Sequence, residues 1–273
     1  MHFLSSWIQA HFHTDHFQIV PLEKGISNQN YLLTVDQKKY VLRAPKPGHE
    51  HLQVQFDMEK QVLEHVQALD VKTVIFDVQH GIKVTEYVPD CKEFHESKDP
   101  YKYEKAAKLL KSLHEQTIWV PHHFEPFKKL MHYKKQTLSP IVHFEQERKT
   151  LELARKLYCP RTLCHNDVVQ GNILFTSQRE YLIDWEYAAM NDWRFDIASF
   201  FSENQITDST NRLQFYKAYD AEINDHEIRL FEALEDILWG YWANLLYEKR
   251  KEPIYKLIAL EKEAHYHSFS NRK

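Results

Sequence analysis

Glycine is scarce in this chain, at five residues in 273. Neither G-x-G-x-x-G nor G-x-x-x-x-G-K-[ST] occurs, which excludes the glycine-rich loops that cradle phosphates in dinucleotide-binding and Walker-type proteins. Cysteine is sparse and odd in number (Cys91, Cys159, Cys164), a pattern that suits a reduced cytoplasmic protein and not a disulfide framework. A basic excess is missing too. The 35 Lys and Arg against 39 Asp and Glu leave a formal charge of -4, which argues against a nucleic-acid partner. No apolar run approaches the roughly 18 residues of a membrane span, and Met1 to Phe12 lacks the flanks of a signal peptide. What is plentiful is aromatic: 6 Trp, 15 Tyr and 16 Phe.

The length allows one large domain or two lobes, and the patterning favours two. Up to residue 88 the chain reads mainly as strands. Tyr31–Val35 and Tyr40–Leu42 flank the loop Asp36–Lys39, and Val74–Val78 pairs with Ile82–Tyr87 around Gly81. Between the hairpins Phe56, Glu59, Val62, Leu63 and Val66 recur at helical spacing. From residue 89 to 273 the pattern is helical. Helices are expected after Pro100, over residues 144–158 and from about Phe195 onward, with a small hairpin, Ile173–Phe175 and Tyr181–Ile183, embedded among them.

That hairpin carries the chemistry. His165, Asp167 and Asn172 stand at its entrance, and Asp184 and Glu186 at its exit, so folding the hairpin brings both ends to one place. Oxygen ligands from Asn and Asp suit a hard ion such as Mg²⁺ that also binds substrate phosphates. A separate carboxylate beside it can orient a hydroxyl and accept its proton. Together these describe phosphoryl transfer from a nucleotide to an alcohol. In a chain of this composition H-x-D-x4-N would arise by chance about 0.04 times.

His165-x-Asp167-x4-Asn172 followed by Asp184-Trp-Glu186 resembles the choline/ethanolamine kinase branch of the aminoglycoside-phosphotransferase-like kinases. The resemblance implies an α+β, bilobal protein-kinase-like fold, with a β-rich nucleotide-binding lobe (1–88) and a helical catalytic and substrate-binding lobe (89–273). It implies Mg²⁺ and ATP as cofactors, Asp167 as catalytic base, and Asn172 and Asp184, with Glu186 nearby, as the metal site. His165 and Asp196 would brace the catalytic loop. Gly25-Ile-Ser27-Asn28-Gln-Asn30 is similar to the family's short nucleotide loop. Arg43 stands where many kinases place a phosphate-gripping lysine, and Glu59 is its natural partner, although a solvated glutamate there reads equally well. Glu86, Tyr87 and Val88 would meet adenine at the lobe junction.

For the acceptor, Trp239-Gly-Tyr-Trp242 sets two indoles three positions apart on one helix face. Such pairs are commonly core, yet the family uses a Trp-x-x-Trp to enclose a quaternary ammonium, which indole faces attract. By the same resemblance Tyr187 is a further aromatic of that site and Glu203 offsets the positive head group. The segment after Trp242 is shorter than the family's, which leaves open whether Tyr255 is a further wall. The expected acceptor is therefore a small cationic alcohol, choline first. Ethanolamine or another amino-alcohol of the aminoglycoside or thiamine type is the alternative, and a degenerate nucleotide-binding scaffold the non-enzymatic one. The 18 histidines show no H-E-x-x-H or ligand ladder and read as surface residues.

Overall fold

The computed structural model describes residues 2–23, 25, 28–47, 54–219 and 222–270. The N-terminal lobe is a five-stranded antiparallel sheet of β1 (Phe17–Pro21), β2 (Asn28–Val35), β3 (Lys38–Pro45), β4 (Thr73–Asp77) and β5 (Ile82–Glu86), in the order β1-β2-β3-β5-β4. The loop between β2 and β3 is shorter than the four residues expected. Val35 pairs with Lys38, and Asp36 and Gln37 both take positive φ, the geometry that matches the twist of a two-residue hairpin.

Two helices flank this sheet. The first, α1 (His2–Phe12), was not apparent in the sequence; its Leu4, Trp7 and Ile8 pack on Leu33, Val35, Leu42, Ile82 and Val84. The Trp7 indole N–H also donates to Asp77 Oδ2 at 2.7 Å, pinning the helix to the end of β4. The second, α2 (Phe56–His65), matches the expected periodicity. Its Val62 and Leu63 belong to the hydrophobic cluster of the C-terminal lobe, so α2 couples the two lobes.

The C-terminal lobe contains β6 (Lys92–Glu93), α3 (Lys102–His114), α4 (Pro126–Gln136), α5 (Glu147–Leu157), β7 (Thr162–Cys164), β8 (Ile173–Phe175), β9 (Glu180–Leu182), β10 (Ala189–Asn191), α6 (Trp193–Glu203), α7 (Ser209–Tyr219), α8 (Asp225–Arg250) and α9 (Pro253–Ser270). α8 is its spine, buried almost continuously from Ile228 to Leu246, with α6 and α9 against it. Gly240 permits the closest packing there: a Cβ at that position would lie 2.6 Å from the Phe144 ring. No disulfide joins the three cysteines. Among the described residues no helix is long and apolar enough to cross a membrane.

Candidate active site

The small hairpin is held at both ends. β7 pairs antiparallel with β10, Cys164 opposite Ala189, so the segments before and after β8–β9 are tied together. The Ile183 amide donates to the Asn172 carbonyl at 2.9 Å, setting Asp184 next to Asn172. Asn172 Nδ2 in turn donates to Asp167, at 2.9 Å to its carbonyl and 3.3 Å to Oδ2.

The loop that presents Asp167 is fixed by buried polar groups. Asp196, at the start of α6, accepts the amides of His165 and Asn166, both at 2.7 Å. His165 is fully buried and bonds the Ile183 carbonyl through Nε2 (2.9 Å) while its Nδ1 faces the Asp167 amide (3.3 Å). Burial lowers its pKa, which favours the neutral ring these two contacts require, an Nε2–H donor and an Nδ1 acceptor. Asn166 takes a left-handed φ of 68° and Asp184 the same value. At Asn166 the side chain compensates by donating to the Tyr187 carbonyl (2.9 Å) and accepting from Asn191 (2.6 Å).

Three carboxylates share this small volume. Burial raises the pKa of Asp167 well above the ordinary range, and Glu203, Asp184 and Glu186 add to the rise. Asp184 is raised by burial and by Glu186, against the opposing pull of Arg43 and Lys83. Such a surplus of negative charge, made entirely of oxygen donors, fits a hard divalent cation.

The opposite lobe supplies cations and a donor. Arg43 on β3 donates from Nη1 to Asp184 Oδ1 (2.6 Å) and from Nη2 to Glu59 Oε2 (2.5 Å). Glu59 also accepts from Lys83 on β5 at 2.6 Å. Burial opposes the charge on Glu59, but Arg43 and Lys83 prevail and hold its carboxyl below its usual pKa. Of the two readings open for Glu59, the ion pair is the one present. Asn28 Nδ2 donates to Glu186 Oε2 at 2.7 Å, a second link between the lobes. Ser27 lies outside the described residues. Glu86 is exposed, its amide bonded to the Lys72 carbonyl and its carboxylate paired with Lys72 on the surface, and Val88 is half-buried nearby.

The aromatic residues form a chain of edge-to-face rings: Tyr187 to Trp239 at 5.5 Å, Trp239 to Trp242 at 5.7 Å, and Trp242 to Tyr255 at 5.8 Å. Phe124 closes this wall, 6.0 Å from Trp239 and 6.5 Å from Tyr187. Among the described residues, the buried Tyr187 hydroxyl and Trp242 indole N–H have no hydrogen-bond partner. Glu203 differs from its expected setting. Its carboxylate is already paired with Lys262 of α9 at 2.5 Å, so its negative charge is largely answered from within the protein.

The model of the phosphotransferase enzyme family matches residues 18–231. The chain belongs to that family. Its relatives include protein LicA of Haemophilus influenzae, 23% identical over 90% of this chain and 82% of that protein. A solved LicA structure in complex with AMP superposes with a TM-score of 0.81 at 25% identity, covering 98% of each chain. The choline kinase LicA from Streptococcus pneumoniae has a TM-score of 0.80 at 24% identity, again over 98% of each chain. The protein-kinase-like bilobal fold expected from the motif is thus the fold of this phosphotransferase.

Sequence reasoning missed four residues in or against this candidate site: Lys83 paired with Glu59, Phe124 against Trp239, Lys129 over the Tyr187 ring and Lys262 paired with Glu203. Lys83 had a signal, a lysine set inside the apolar strand run Ile82–Val84, where only a buried partner could tolerate it. Phe124 and Lys129 had none, since α4 was not recognised and Phe124 lies in the loop before it. Lys262 sits at one position among several charges of α9 and cannot be told from a solvated helix residue without the fold.

Proposed function

We propose that this phosphotransferase transfers the γ-phosphoryl group of ATP to the hydroxyl of choline, giving phosphocholine and ADP. The observation that carries the reading is the convergence of Asp167, Asn172, Asp184 and Glu186 with Arg43 from the facing lobe, beside a wall of Tyr187, Trp239 and Trp242. The similarity to LicA and to human choline/ethanolamine kinase (23% identical over 79% of this chain) supports the same class of reaction.

Asp167 orients the acceptor hydroxyl and takes its proton as the oxygen attacks the γ-phosphorus and the bond to ADP breaks. Asn172 holds Asp167 in place and, with Asp184 and Glu186 close by, would hold Mg²⁺. Bound there, the ion neutralises charge on the phosphate chain. Arg43 exchanges its bond to Asp184 for phosphate oxygens, with Glu59 and Lys83 fixing its direction. In this reading Asn28 serves the phosphate oxygens, and the main chain of Glu86 and Val88 serves the adenine. The aromatic wall favours choline over ethanolamine because a quaternary ammonium gains from ring faces without needing hydrogen bonds.

The test is ATP consumption with choline, ethanolamine, thiamine and kanamycin, for the wild type and Asp167→Asn. Choline should give the highest kcat/KM, and Asp167→Asn should lower kcat by at least about 10²-fold with nucleotide affinity nearly unchanged. A variant of near-normal turnover removes Asp167 as the base. Preference for kanamycin removes the choline reading.

A further inference from the structure

One lysine of the acceptor region rests on rings with no anion as partner. The Lys129 side chain, on α4, is half-buried, and its Nζ lies 5.2 Å from the Phe124 centroid and 5.8 Å from the Tyr187 centroid. Both distances are within the range at which a cation is drawn to an aromatic face. Among the described residues no hydrogen bond or ion pair reaches this ammonium. Glu125, one turn earlier, is bonded to Lys128 at 3.0 Å. Elsewhere in this lobe the exposed Lys134 is paired with Glu147 at 2.6 Å and the buried Lys262 with Glu203 at 2.5 Å.

The rings that Lys129 covers are not incidental. Tyr187 and Phe124 both touch Trp239, so they belong to the wall assigned to the acceptor's cationic head. Burial brings the lysine down to about 8, against Glu125, which leaves it mostly protonated at neutral pH. Two cations on one small, poorly solvated aromatic surface repel each other. The four-carbon stem of a lysine lets its head leave that surface without backbone movement.

We infer that Lys129 is a specificity-determining residue of the acceptor site: a tethered ammonium lying on the aromatic wall that receives the acceptor's cationic head, which has to swing aside when an acceptor binds. This rests on the acceptor reading given above. It explains how a site lined by carboxylates and aromatic rings can remain selective. An incoming head group must hold the rings better than a primary ammonium already attached to the protein, a condition that a quaternary ammonium meets through its larger apolar surface.

The experiment is calorimetric titration of the full chain with tetramethylammonium chloride at matched ionic strength, for the wild type, Lys129→Met and Lys129→Arg. Lys129→Met should bind the probe about fivefold to tenfold more tightly, whereas Lys129→Arg, which keeps the charge, should stay near the wild type. Lys129→Gln reads the same quantity should the methionine variant fail to fold. Equal affinity in all variants, absence of binding in all, or tightening in Lys129→Arg equal to that in Lys129→Met overturns the inference. The titration needs no turnover, so it is separable from the choline reading. Failure to make phosphocholine alongside tighter binding in Lys129→Met would remove choline as acceptor and leave the role of Lys129 standing.

Discussion

Glu59→Gln tests the buried network that aims Arg43. In the native protein Glu59 is 1% exposed and holds two cations, Arg43 at 2.5 Å and Lys83 at 2.6 Å, which are themselves 5% and 4% exposed. Glutamine keeps the shape but removes the charge. Arg43 retains Asp184, whereas Lys83 loses its ion-pair partner. At an effective dielectric near 20, a pair about 4 Å apart is worth roughly 4 kcal/mol. Removing one member of a buried pair costs about 3–5 kcal/mol. The two routes agree, and the loss is a large part of the roughly 5–15 kcal/mol that holds a folded protein together. Guanidinium unfolding followed by circular dichroism should show this loss in Glu59→Gln. Lys83→Met added to it removes the stranded cation and should restore about 1–3 kcal/mol. A cost below about 1 kcal/mol, or no recovery in the double variant, would show that water already solvates these charges and that the network does not fix Arg43.

Two further outcomes test the packing and the charge of the rest of the fold. Gly240→Ala should destabilise by about 1–3 kcal/mol, because its new Cβ would meet the Phe144 ring at 2.6 Å; thermal unfolding reads the change. Asp77 is depressed from 3.8 to about 2: burial opposes the shift, but the Trp7 and His80 hydrogen bonds outweigh it. A depressed carboxylate stabilises the fold above its unfolded pKa, and that stability is lost as pH falls through its folded one. Melting temperatures recorded between pH 5 and 2 should therefore fall more steeply in the wild type than in Asp77→Asn.

The hairpin of the candidate site was legible because its residues are close in sequence and chemically unusual. His165, Asp167, Asn172, Asp184 and Glu186 fall within about two dozen positions, and the strand ends Ile173–Phe175 and Glu180–Leu182 fix their convergence. The helices with strong apolar stripes, α2, α3 and α8, were legible for the same reason, since a local period suffices to find them. α1 and α4 were not. α4 begins after Glu125 at positive φ and has a basic outer face, and only its packing reveals it. Long-range pairs are the other loss. Nothing in the sequence links Glu203 to Lys262, or Asn28 to Glu186 across 158 positions.

The scarcity of glycine now reads as a choice of materials for the site. Positive φ is ordinarily a glycine position, and elsewhere a phosphate grip is built from such turns. Among the described residues, only Gly25 and Gly81 use that freedom, while ten other residues, Asn166 and Asp184 among them, take positive φ with side chains attached. Such a backbone costs of the order of 1–3 kcal/mol unless its surroundings over-determine it. At Asn166 they do. The amide goes to Asp196, the side-chain nitrogen to Tyr187, and the side-chain oxygen to Asn191. At Asp184 the left-handed turn aims a carboxylate at Arg43, so the strained residue is itself a functional group. A glycine in either place would relax the backbone and remove the contact that gives the turn its direction. The candidate site is built from charged side chains set by hydrogen bonds, where a glycine-rich phosphate loop uses bare backbone.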